Sequence, residues 1–170
     1  MNTVGYHTVE DRDNPDFVEE NGPFVAMGSL AFLGVGYYFW EESLELAHWW
    51  GGVHCSGEYM ICRANLGSPD EVYLDLVGNV RHMNYLKELK KELAPELIRK
   101  FGTSDVPMGK LIEHLYQVNL RPGRRGIFPY KVIRTVDTSK KSKDVVYFVD
   151  KKENVTDLSP RIIICLKGEE

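Results

Sequence analysis

Two short stretches carry residue types that could act on a ligand. Near the start, Tyr6-His7-Thr8 sits inside the run Gly5 to Val9. An imidazole there can hold a ribose hydroxyl, because its nitrogens donate or accept near neutral pH. The plainer alternative is a histidine hydrogen-bonded within a strand. Further on, Leu33-Gly34-Val35-Gly36-Tyr37-Tyr38-Phe39-Trp40 sets two glycines ahead of an aromatic run. Glycines tolerate positive φ and let a backbone approach a ligand closely. A tyrosine just behind them can lay its ring on a flat heterocycle, a contact worth ~1–3 kcal/mol where measured for bases. The competing reading is that these rings fill the core, as aromatics commonly do.

Other candidates are weaker. Arg121, Arg124, Arg125, Lys131 and Arg134 form a basic run interleaved with Phe128 and Tyr130. Such a run suits a nucleic acid or an acidic protein patch, or equally a solvated loop and the outer face of a strand. The net charge of -4 and pI of about 5.8 favour the solvated face. His48, His54 and His82 with Cys55 match no standard zinc spacing, so no metal site is expected. Cys55, Cys62 and Cys165 are odd in number and contain no Cys-x-x-Cys, which fits reduced thiols. Neither Gly-x-Ser-x-Gly nor a phosphate loop occurs, and no Gly-x-Gly-x-x-Gly follows a first strand.

The elements that must position these residues follow from pattern and punctuation. At 170 residues, 43% hydrophobic and 27% charged, the chain can bury one core and is expected to form a single domain over 1–170. No stretch approaches the ~20 apolar residues of a membrane span. The start, turning acidic at once, does not read as a signal peptide, so a cytoplasmic protein is expected. A short strand is predicted around Val4–Thr8, then a polar segment from Glu10 closed by Asn21-Gly22-Pro23. Glu42–Trp50 reads as a helix stopped by Gly51-Gly52. Tyr59–Asn65 and Glu71–Leu76 read as two strands joined by the turn Gly67-Ser68-Pro69-Asp70. Asn84 to Phe101 reads as a helix broken at Pro95, and Gly109–Val118 as another. Tyr130–Val136, Val145–Val149 and Arg161–Leu166 read as strands, the first two separated by a lysine-rich turn over Ser139–Lys143. Strands at both ends with helices between them predict an α+β fold.

Taken together, Tyr6-His7, then Asn21-Gly22-Pro23-Phe24, then Leu33-Gly34-x-Gly36-x-Tyr38-Phe39, then a helix with Ala47-His48-Trp49, resemble the ADP-ribosyltransferase superfamily. The similarity is to its diphtheria-toxin and poly-ADP-ribose-polymerase branch, especially small bacterial proteins, and spans roughly Gly5 to Leu76. The resemblance implies split antiparallel β-sheets with inserted helices, and NAD as substrate. It implies that His7 binds a ribose hydroxyl and Tyr38 stacks on nicotinamide, with Tyr6, Thr8, Gly36 and Tyr37 beside the cofactor. Thr8 stands where the family has glycine. The family's third residue, a glutamate opening a later strand, has no counterpart in Arg161–Leu166, and Glu71, Glu153 and Asp157 stay open as substitutes. The implied activity is mono-ADP-ribosyl transfer to an unknown protein or nucleic-acid acceptor, with a toxin or conflict role as an extension. A nucleotide-binding module that lost catalysis is the alternative.

Overall fold

The structure is a computed structural model that describes residues 1–28, 31–137 and 161–168. The strands are β1 (Asn2–Glu10), β2 (Tyr37–Glu41), β3 (Tyr59–Gly67), β4 (Tyr73–Asp75), β5 (Val132–Val136) and β6 (Ile162–Leu166). The helices are α1 (Pro15–Asn21), α2 (Leu44–His54), α3 (Val80–Glu92), α4 (Ala94–Phe101) and α5 (Met108–Asn119). The predicted α+β class is what the chain adopts.

The described strands form one six-stranded sheet in the order β3-β1-β2-β6-β5-β4, every pair antiparallel except β4–β5. The two separate sheets implied by the resemblance are therefore not what these strands make. The reason is β2, which pairs with β1 on one side and with β6 on the other, joining the amino- and carboxy-terminal strands. The predicted turn does join β3 to β4, but the two strands do not pair with each other, because they lie at opposite edges. β1 takes the whole of β3, from Asn2↔Gly67 to Glu10↔Tyr59, and β4 runs parallel to β5.

That placement forces the sheet to curl. From Gly67 to Tyr73 the chain covers at most about 20 Å, whereas five strand spacings in a flat sheet are about 24 Å. The connection includes a 3-10 turn at Asp70–Val72, which shortens it further. Accordingly Leu66, on one edge strand, joins Phe39, Val132 and Ile164 in one buried cluster with Tyr73 of the other edge strand. This concave face has its own small core.

The helices cover the opposite, convex face. Leu74, Ile133 and Cys165 pack under Leu86, Leu89, Leu97, Ile112 and Leu115 of α3, α4 and α5. Beside them Trp40 and Ile163 pack under Leu46 and Ala47 of α2. A fully buried aliphatic side chain contributes ~1.5–3 kcal/mol, so this layer supplies most of the hydrophobic stabilisation.

Local chemistry explains the helix ends. Ser43 caps α2 by accepting from the Leu46 amide (3.2 Å), and Asn79 caps α3 by accepting from the Arg81 and His82 amides. Pro95 separates α3 from α4 as predicted, sitting in the first turn of α4, where a missing N–H costs nothing. Gly51-Gly52 does not stop α2, which continues to His54. Gly51 is instead a packing glycine, since a β-carbon there would lie 2.5 Å from the Tyr59 ring. The strand predicted at Val145–Val149 and the lysine-rich turn before it lie outside the described residues.

Candidate functional site

β1 and β2 bring the two motifs together at a fork. Their ladder runs over Gly5↔Glu41 and Tyr6↔Trp40 and goes no further, although β1 continues on β3 to Glu10. At the fork the His7 side chain reaches across, and its Nδ1 lies 2.8 Å from the Tyr38 carbonyl oxygen. A carbonyl only accepts, so Nδ1 carries the proton and Nε2 presents a lone pair. Nothing among the described residues hydrogen-bonds Nε2, and it is not among the atoms enclosed without a partner. Burial lowers the proton affinity of His7, opposed by the Tyr38 carbonyl bond, so the imidazole is neutral at pH 7. The ring turns to the concave side, 5.8 Å from Phe39.

Tyr38 turns the other way. Its ring is tilted 6.0 Å from Phe32 and packs at the junction of the two helix-side clusters. Its hydroxyl donates to the Gly34 carbonyl (2.5 Å) and accepts from the Leu33 amide (3.0 Å). Burial, seconded by the Cys165 thiol, pushes the phenol pKa upward, so it stays protonated. From the far side, Lys167 Nζ donates to the carbonyls of Leu33 (2.7 Å) and Val35 (2.8 Å).

The glycines therefore serve the loop before they serve any ligand. A β-carbon at Gly36 would lie 2.7 Å from Cys165 Sγ and 2.8 Å from the Leu166 carbonyl oxygen. Gly34 has φ of +87°, and a β-carbon there would meet Glu113 at 2.8 Å. The amides of Gly34 and Gly36 are bonded to Ala31 and Ala26, so neither is offered to an anion.

Of the six predicted site residues, His7 and Tyr37 look toward the concave face, Tyr37 against the Phe39 cluster. Tyr6, Thr8 and Tyr38 look toward the helices. Tyr6 packs on Trp40, and the Thr8 hydroxyl donates to Ala47 of α2 (2.8 Å). The imidazole of His7 and the ring of Tyr38 are thus neighbours through a backbone carbonyl, on opposite sides of the sheet. Glu71 sits exposed in the 3-10 turn, and β6 reads Ile-Ile-Ile-Cys-Leu with no carboxylate. Glu153 and Asp157 lie outside the described residues.

Sequence reasoning missed an ionic cluster on the concave face. Arg134 donates through Nε and Nη2 to Glu41 Oε2 (both 2.8 Å) and through Nη1 to Asp75 Oδ1 (3.2 Å). Burial pushes Asp75 upward, but the Gly78 and Val77 amides and Arg134 outweigh it and hold its carboxyl below the usual range. Tyr73, raised chiefly by burial to about 12, stands beside them. Arg134, Glu41 and Tyr73 line an open cleft of about 740 Å³ with Thr3 and Glu42. No local pattern signals this set, because its members come from three strands distant in sequence. In the basic run, Arg121 pairs with Glu96 (2.7 Å) and Arg124 with Glu92 (2.5 Å).

His48 contacts the Tyr59 hydroxyl (3.1 Å), His54 stacks on Trp50, and His82 accepts from the Asp75 amide (3.0 Å). All three cysteines are free thiols. Among the described residues, no helix is long and apolar enough to cross a membrane. The fold and site define an α+β protein with one curled mixed sheet, helices on its convex face and a histidine-bridged fork between β1 and β2. No family model, curated protein or solved structure matches the chain.

Proposed function

We propose that this protein is an ADP-ribosyltransferase-like enzyme of the cytoplasm that cleaves NAD and transfers ADP-ribose to a protein or nucleic-acid acceptor. The observation that carries the reading is the fork at His7 and Tyr38. The end of the β1–β2 ladder is a local counterpart of the parted sheets that the resemblance implies. The tautomer of His7 leaves Nε2 free to accept a ribose hydroxyl. In this reading NAD lies at the end of the β1–β2 ladder, with His7 on a ribose and the half-buried ring of Tyr38 on nicotinamide. Gly36, Tyr37, Tyr6 and Thr8 then flank the cofactor rather than bonding it. In this reading an acceptor nucleophile attacks the ribose anomeric carbon as nicotinamide leaves. A role as a toxin or conflict effector belongs to the same proposal.

A second reading is an NAD- or nucleotide-binding module without catalysis. It is favoured by the all-apolar β6, which lacks the carboxylate that would stabilise an oxocarbenium-like charge.

The test is incubation of purified protein with NAD labelled in its adenylate portion, following free nicotinamide and labelled macromolecules. Release with labelling supports transfer, and saturable NAD binding without release supports the module. Absence of NAD binding removes both.

A further inference from the structure

On the helix-covered side, a groove of about 330 Å³ opens between α3, α5 and the end of β5. Its walls include Leu76, Met83, Val106 and Met108, with Lys87 and Lys90 at the lip and Thr135 at the base. That volume lies at the lower end of the ~300–1,000 Å³ typical of small-molecule sites. The two methionines can adapt to an irregular apolar body.

Two separate observations point to an occupant with a negatively charged end. Thr135 is only 9% exposed, yet its hydroxyl bonds to none of the described residues. That hydroxyl is not enclosed, so it is open to donate to an occupant of the groove. Lys87 has no ion-pair partner among the described residues, whereas its neighbour Lys90 is held by Asp105 at 2.8 Å. The Lys90–Asp105 contact ties α3 to the segment before α5.

We propose that this groove binds a small amphiphilic carboxylate, independently of any NAD site. The alkyl or aryl body lies along Leu76, Met83 and Met108. One carboxylate oxygen accepts from the Thr135 hydroxyl, and the Lys87 ammonium folds over the lip to the other on its flexible stem.

The test titrates the whole protein with octanoate by calorimetry, using octanol as the uncharged control. The parent is expected to bind octanoate saturably and octanol more weakly. Lys87→Gln, at an exposed position, should weaken octanoate about three- to fivefold, the range of a partly exposed ion pair, and leave octanol unchanged. Thr135→Val, nearly the same shape without the hydroxyl, should weaken octanoate by a similar factor, and Met108→Trp should fill the groove and abolish binding of both. No saturable binding by the folded parent, or equal octanoate affinity in parent and Lys87→Gln, would overturn the proposal.

Discussion

The imidazole of His7 and the main-chain carbonyl of Tyr38 meet at 2.8 Å where β1 and β2 part. A side chain there occupies a backbone acceptor that a continuing ladder would have used. The same bond sets the tautomer of His7, and so decides which nitrogen remains for a ligand.

Replacement of His7 by alanine should reduce nicotinamide release about five- to tenfold, the equivalent of one lost hydrogen bond of ~1 kcal/mol. Stability should fall by a similar ~1 kcal/mol through the freed Tyr38 carbonyl. Turnover assays and urea unfolding on one preparation check both, and unchanged turnover takes His7 out of the site.

Tyr38→Phe separates loop support from stacking. It keeps the ring but leaves the Leu33 amide and Gly34 carbonyl without their partner. The expected cost is ~1–3 kcal/mol of stability. NAD affinity, measured below the melting temperature, should change less than in Tyr38→Ala. Equal affinity in parent and Tyr38→Ala would show that the ring serves only the core.

Gly36→Ala should be destabilising by ~1–3 kcal/mol through overpacking. One of the two atoms it would strike, the Leu166 carbonyl oxygen at 2.8 Å, belongs to the neighbouring strand and cannot swing away. A thermal melt equal to that of the parent would contradict the close β2–β6 approach.

Removal of Arg134 leaves Glu41 and Asp75 facing each other on the concave face. Their side chains are 12% and 16% exposed, so the uncompensated charge should cost ~2–4 kcal/mol in Arg134→Met. The double variant Arg134→Met with Glu41→Leu should recover much of that loss. A denaturant series on the singles and the double measures the coupling.

Acid should weaken the fold through two histidines. Burial lowers the pKa of both His7 and His114 from 6.5, and neither ring nitrogen of buried His114 has a hydrogen bond. The unfolded chain therefore takes up protons first. Stability is fully present above about 6.5 and declines as pH drops toward the lower folded values. Urea unfolding at stepped pH should show this decline, and His114→Leu should flatten it without loss at pH 7.5.

Much of the local structure was legible. The helices at Leu44–His54 and Met108–Asn119 show in their apolar spacing, and the break at Pro95 in its missing donor. Gly51 misled because a glycine that ends a helix and one that admits a tyrosine ring look alike in sequence. The strands Tyr59–Gly67 and Tyr73–Asp75 and the turn between them were legible, but their places were not, since only the curl of the sheet lets so short a connection join opposite edges.

Residue order by itself determined the α+β class, most element types and the pairing of a histidine motif with a glycine–aromatic motif. These depend on neighbours a few positions apart, whose periodicity and turn chemistry are written locally. Tertiary structure alone decided that His7 and Tyr38 look to opposite sides of one sheet, that Lys167 and Tyr38 grip the glycine loop, and that Arg134 joins Glu41 to Asp75. Each of those depends on strand order and register, which long-range pairing and burial set across tens of residues.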